Sequence, residues 1–131
     1  MALPDAGVAI IGAGPAGIAA ALALLKQGIA VTLLDDGPPP APRIESLAAN
    51  GIDLALACGF APALDHAGLG HAAIMHLYWR EQPETKHFGT DGPLLLDRAR
   101  FHAALRRLLP PAVMHRARVT GIEARSSHEG D

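Results

Sequence analysis

Cysteine, aromatic side chains and an excess of either charge are all scarce in this chain of 131 residues. Cys58 stands alone, which excludes an internal disulfide and a cysteine-cluster metal site and fits a reducing compartment, so a cytoplasmic setting is expected. Phe, Trp and Tyr together make up 4% of a sequence that is 50% apolar, so Ala and Leu supply most of the hydrophobic content, with Gly abundant beside them. That composition suits helices packed closely on a sheet and disfavours an aromatic-rich β-sandwich. The 11 basic and 13 acidic residues are scattered and leave a formal charge of −2. Without a basic face the chain is not expected to bind nucleic acid or an anionic membrane, and a small molecule is the expected partner.

Other signatures are missing too. No G-x-S-x-G elbow accompanies Glu45 and Ser46, so hydrolase chemistry has no support. The seven histidines (66, 71, 76, 87, 102, 115 and 128) form no H-E-x-x-H and meet no carboxylate cluster, so no metal is expected. Ala6 to Leu25 lacks charge over about the length of a membrane span. Five helix-disfavouring residues interrupt it (Gly7, Gly12, Gly14, Pro15, Gly17), and Asp5 precedes it where a signal peptide would carry a basic residue. Neither a span nor a signal sequence is expected.

What is present is a pattern of strand, glycine loop, helix and strand. Val8 to Ile11 is a short apolar run rich in β-branched residues, as in a strand buried on both faces of a parallel sheet. Gly12-Ala13-Gly14-Pro15-Ala16-Gly17 follows, then a helix over Ile18 to Gln27 that Gly28 should stop. Ile29 to Leu34 forms the second strand, with Asp35-Asp36 at its tip and the turn Gly37-Pro38-Pro39-Pro40 beyond.

In a G-x-G-x-x-G loop placed this way, Gly12 permits the tight turn, Gly14 admits a pyrophosphate to the backbone and Gly17 allows the helix to approach the strand. Amides at the helix N-terminus around Pro15 and Ala16 then face the phosphates, and Pro15 loses nothing in the first turn. Asp35, with Asp36 as substitute, falls where an acid accepts from ribose hydroxyls. The fold class expected is therefore α/β, a Rossmann-like dinucleotide-binding βαβ unit with a parallel sheet. The glycine fingerprint itself serves FAD and NAD alike.

In the second half, Asp97 should cap an amphipathic helix from Arg98 to Leu109, with Phe101, Leu105, Leu108 and Leu109 on one face. Pro110-Pro111 should end it, and Ala112 to Ala124 reads as a strand alternating Val113, His115, Ala117 and Val119 against Met114, Arg116, Arg118 and Thr120.

The segment VAIIGAGPAGIAAALALLKQGIAVTLLDDG resembles the opening of FAD-dependent oxidoreductases with the glutathione-reductase-like fold. Arg43-Ile44-Glu45-Ser46-Leu47 is similar to the R-x-G-E-S-L segment, and Leu96-Asp97-Arg98-Ala99-Arg100-Phe101 to the L-D-R-x-x-F signature, of the flavin-dependent halogenase and monooxygenase branch, with Leu77-Tyr78-Trp79 between them. The resemblance points to the p-hydroxybenzoate-hydroxylase-like class, close to tryptophan halogenases and to flavoproteins that mature quinone cofactors in partner proteins. It implies FAD as cofactor and, in a complete enzyme, NAD(P)H as reductant and dioxygen as oxidant, with hydroxylation of an organic or peptidyl aromatic substrate.

By the same resemblance Arg43 lies along the pyrophosphate or ribityl chain, Ser46 belongs to the same cofactor segment, Arg98 approaches the cofactor and Val119 touches the adenine. The plain alternatives are a surface arginine, a first-turn helix residue and a core valine. The chain departs from the pattern where a glycine is absent between Ile44 and Glu45, so the loop there is expected to turn differently or lie farther from the flavin. No lysine occurs around His71 to His76, which disfavours halogenation. Residues 1–125 are expected to be a partial FAD-binding domain and 126–131 a polar tail, with no substrate domain, so that the rest of an enzyme or a protein substrate would complete it. A non-catalytic nucleotide-binding module and an NAD-binding protein are the other expectations.

Overall fold

The computed structural model describes residues 7–79 and 81–123. Strand β1 (Gly7–Ile11) leads through the glycine loop into helix α1 (Pro15–Lys26), and β2 (Ala30–Asp35) returns parallel to β1 with Val8 opposite Val31 and Ile11 opposite Leu34. Pro15 occupies the first helical turn, and no side chain caps the amides there, since the cap is Gly14. At the other end the Gly28 amide donates to Leu25 and the Ile29 amide to Leu24, while Gly28 takes φ +75°. This pair of bonds satisfies the last carbonyls of the helix and turns the chain directly into β2.

The third strand of the parallel sheet is β8 (Met114–Arg116), which pairs with β2 from Leu33 to Asp35, giving the order β1-β2-β8. It is much shorter than the strand expected over Ala112 to Ala124. Pro111–Val113 forms a 3-10 turn instead, and after the Ala117 amide bonds to the Asp35 carbonyl, residues 118–123 carry no ladder. β2 ends at Asp35 and the Gly37 to Pro40 segment leaves the sheet, so β8 has nothing further to pair with. Ala124 and the expected tail of residues 126–131 lie outside the described residues.

The sheet order also corrects the expected burial. β2 is the central strand, with Val31, Leu33 and Leu34 buried, whereas β1 is an edge among the described residues and exposes Val8 and Ile11, the latter at 57%.

A second sheet joins the two distant segments. β3 (Ile44–Leu47) runs antiparallel to β7 (Leu94–Asp97), placing Glu45 opposite Leu96 and Ser46 opposite Leu95, and β4 (Gly68–His71) flanks β7 on its other side. The expected irregular loop at Ile44-Glu45 is extended strand, a conformation that needs no glycine. Helices α2 (Ala49–Ala57) and α3 (Ala61–Ala67) connect β3 to β4, and β5 (Ile74–Leu77) and β6 (Glu84–His87) form a hairpin near whose tip Tyr78 and Trp79 stand more than three-quarters exposed.

Helix α4 (Arg98–Arg106) begins at Asp97, whose Oδ1 accepts from the Arg100 amide at 3.0 Å, so the cap is as expected. A tighter turn carries Leu108 and Leu109 onward from Arg106. Its apolar face closes one core with both layers: Leu105 meets a cluster that includes Ile18, Leu33, Phe60, Leu64 and Leu96, and Phe101 stacks edge-on against Phe60. Ile18, Leu33 and Leu105 are the largest side chains that are wholly buried. Leu105→Ala should therefore cost about 2–5 kcal/mol through lost burial and the cavity left behind. Urea unfolding checks this, and a loss below about 1 kcal/mol would show that α4 is not part of the common core.

Candidate functional site

The glycine loop is shaped by contact between backbones. Gly12 adopts φ +102°, which a residue with a side chain enters only under strain, and its amide donates to the Leu34 carbonyl at 2.8 Å. A Cβ on Gly17 would stand 2.0 Å from the Gly12 carbonyl oxygen, so only glycine lets the first turn of α1 rest against the loop. A Cβ on Gly14 would meet nothing within 4 Å. The space beside that backbone is open, and the uncapped first-turn amides of α1 lie next to it in sequence. Donors of this kind at a helix N-terminus suit a phosphate.

The loop borders two hollows. The first, about 360 Å³, contains Gly12, Asp35, Asp36 and Val119. Asp35 ends β2, and its Oδ1 accepts from the Ala13 amide at 3.3 Å, which ties the acid to the loop. Asp36 pairs loosely with Arg118 at 3.8 Å. Val119 is half-buried on this wall, outside both the core cluster and the strand, so it is not a central-strand core valine. A carboxylate at a strand tip, a tight glycine turn and an apolar wall suit a ribose and a flat ring.

The second hollow, about 700 Å³, opens on the other part of the loop and contains Gly14, Pro15, Ala16, Ser46 and Arg98. Its walls are largely apolar, from Phe60, Leu96 and Phe101 among others. Arg98 Nη1 donates to Glu45 Oε1 at 3.2 Å, both side chains being about 40% exposed. At that exposure the pair orients the guanidinium and contributes little stability. Arg43 is exposed and lines neither hollow, and its carbonyl receives the Arg98 amide at 2.8 Å. The structure thus brings ten of the eleven candidates to the loop and its two hollows and leaves the Arg43 side chain apart.

Several residues of this region were not singled out as site residues from the sequence. Glu45 is set against Arg98 by the β3–β7 pairing, and His102 lines the second hollow one turn along α4 from Arg98. Arg106, the last residue of α4, donates to Asp35 at the tip of β2. Strand alternation and helical spacing could have marked Glu45 and His102 once β3 and β7 were known to pair. Among the described residues no group of three metal-binding side chains occurs, and no helix is long and apolar enough to cross a membrane.

Burial, reinforced by the Arg98 and Arg106 charges and opposed by Glu45 and Asp35, holds the His102 imidazole below its ordinary value of 6.5. The unfolded chain therefore takes up this proton at a higher pH than the folded chain. The contribution of neutral His102 is complete above about pH 6.5 and is lost as pH falls through the lowered folded value. His102→Gln should flatten the decline of the melting temperature between about pH 7 and pH 5, and an unaltered pH profile would contradict this.

Comparison with known proteins agrees with this geometry. The family described as "FAD binding domain" matches residues 5–131. No curated protein matches. Among solved structures, a peptidyl tryptophan dihydroxylase, QhpG, essential for tryptophylquinone cofactor biogenesis, superposes with a TM-score of 0.71 at 29% identity, over 92% of this chain and 27% of its own. A 2,6-dihydroxypyridine-3-hydroxylase from Arthrobacter nicotinovorans gives 0.60 at 17% identity, over 88% and 29%. An HpxO variant from Klebsiella pneumoniae complexed with FAD gives 0.64 at 20%, over 86% and 31%. The latter two likenesses speak for the fold alone. The chain spans about three-tenths of the length of these structures. It belongs to the FAD-binding domain family, and the match runs from the βαβ unit with its glycine loop on through the second sheet and α4.

Proposed function

We propose that this chain provides the ADP-binding portion of an FAD-dependent monooxygenase that hydroxylates an aromatic substrate, organic or peptidyl. The observation that carries the reading is the open space at Gly14 beside uncapped helix amides, with Asp35 held on the same loop. In this assignment the amides of Gly14, Ala16 and Gly17 receive the pyrophosphate, with Pro15, which has no N–H, keeping the first turn open. Asp35 accepts from the ribose hydroxyls with Asp36 beside it, and Val119 supplies an apolar surface to the adenine. Ser46 and Arg98 face the chain that leads from the pyrophosphate toward the flavin. A guanidinium suits that place because its planar fork matches phosphate oxygens, and Glu45 sets its direction. Arg43 would have to swing inward to join them.

The chemistry FAD supplies when bound is to pass two electrons from NAD(P)H to dioxygen, so that one oxygen atom enters the substrate and the other leaves as water. This chain's residues anchor the nucleotide and offer the largely apolar walls of the second hollow to what lies beyond the pyrophosphate. The relation to the tryptophan halogenase branch rests on Arg43 to Leu47 and Leu96 to Phe101, whose strands lie side by side; the absence of lysine from His71 to His76 favours oxygenation over halogenation. The likeness to a peptidyl tryptophan dihydroxylase favours a protein-borne aromatic substrate. A further part of the enzyme would hold that substrate and the flavin ring, in the cytoplasm, where a chain with one cysteine stays reduced.

Calorimetric titration with ADP tests the anchor. Gly14→Val should abolish binding by filling the space the pyrophosphate needs, and Asp35→Ala should weaken it by about 1–3 kcal/mol. Full affinity in Gly14→Val would contradict the assignment.

A further inference from the structure

The Asp35 carboxylate is held from two directions. The Ala13 amide donates to Oδ1 at 3.3 Å, and Nη2 of Arg106, the last residue of α4, donates to Oδ2. Asp35 is only 18% exposed, the lowest of the paired acids, whereas Asp36 is 49% exposed and pairs with the open Arg118. The direction of the Arg106 approach distinguishes it from an ordinary surface pair. Asp35 forms part of two spaces: the hollow it shares with Gly12 and Val119, and a separate cavity of about 190 Å³ bounded by Gly37, Pro39, Met114 and Arg116. Arg106 lines the second and not the first. The guanidinium thus reaches the carboxylate from the far side and leaves the Gly12 side clear.

An ionised carboxylate offers about four acceptor sites, so one amide and one guanidinium do not exhaust it. Held at both oxygens, it cannot rotate freely, and the lone pairs that remain keep one orientation. We infer that Arg106 is a positioning residue for recognition of the adenosine ribose, fixing Asp35 so that its free lone pairs face the hydroxyls of a nucleotide on the glycine loop. The inference rests on the assignment of Asp35 to the ribose given above. Arg106 itself touches no nucleotide, and its effect passes through Asp35.

Binding of ADP and of 2′,3′-dideoxy-ADP to the full chain separates this role from a purely structural clamp between α4 and β2. In the unaltered chain ADP should bind more tightly than the dideoxy nucleotide by about tenfold, equivalent to ~1.4 kcal/mol. Asp35→Ala should erase that preference, and Arg106→Leu should lower it to within about twofold while changing dideoxy-ADP affinity little. Arg106→Lys keeps the charge but loses the fork, and should retain an intermediate preference; it also serves where the leucine variant does not fold. An equal loss for both nucleotides in Arg106→Leu, or an undiminished preference in the lysine variant, would overturn the positioning role. If the unaltered chain shows no preference, the ribose assignment fails and this inference with it, whereas a preference lost in Asp35→Ala but kept in Arg106→Leu overturns the inference alone.

Discussion

The closest approach in the nucleotide-binding unit lies between Gly17 and the carbonyl of Gly12, where a single Cβ would stand 2.0 Å from the oxygen. Because that contact is possible, α1 starts immediately beside the end of β1 rather than several ångströms away. Its first-turn amides, uncapped by any side chain, then open beside the space at Gly14. The same loop reaches across to β2 through the Gly12 bond to Leu34 and the Ala13 bond to Asp35, so the acid at the strand tip shares the loop's frame. The proposed phosphate donors and ribose acceptor are thereby placed by one backbone arrangement instead of by independent side chains.

The remaining layers hold this arrangement in place and extend it. Pairing of β3 with β7 brings Glu45 beside Arg98 from positions 53 apart in the chain, and sets Ser46 and Arg98 around the hollow that begins at Gly14. α4 then runs from that hollow toward the tip of β2, with Arg98 at its start and Arg106 at its end. Leu105 on the same helix is wholly buried in the cluster with Ile18 and Leu33. A helix so anchored in the core holds one guanidinium at the second hollow and another against Asp35, which surface loops alone would do less well.

The βαβ unit was legible because its signals are local. An apolar run, a glycine spacing and an acid at a fixed distance each follow from covalent neighbours, and α1 ends at Gly28 by bonds from the Gly28 amide to Leu25 and the Ile29 amide to Leu24. The partnership of Ile44–Leu47 with Leu94–Asp97 was not legible, because four-residue strands carry no record of which distant segment completes their ladder. The edge position of β1 is not legible for the same reason, since an apolar run does not say whether the strand is central or at an edge. The alternation over Ala112 to Ala124 outruns β8 because it persists in sequence beyond the point where β2 ends and pairing stops. Helix α2 is not legible in the sequence, although its end closes through bonds from Gly59 to Leu56 and Phe60 to Ala55 as α1 does at Gly28, because Ala49 to Ala57 lacks a polar cap and a charged last turn. At the site, Asp35 and the glycines followed from spacing, but their neighbours Glu45, His102 and Arg106 depend on tertiary pairing.

The central claim is that the backbone of the glycine loop receives the pyrophosphate of an adenine dinucleotide. Amide NMR of the chain, followed during titration with ADP, addresses it most directly. The account predicts the largest saturable shifts at the amides of Gly14, Ala16 and Gly17, with smaller ones at Ala13, Asp35 and Val119. Saturable shifts confined to other segments, with the loop amides unmoved, would contradict it.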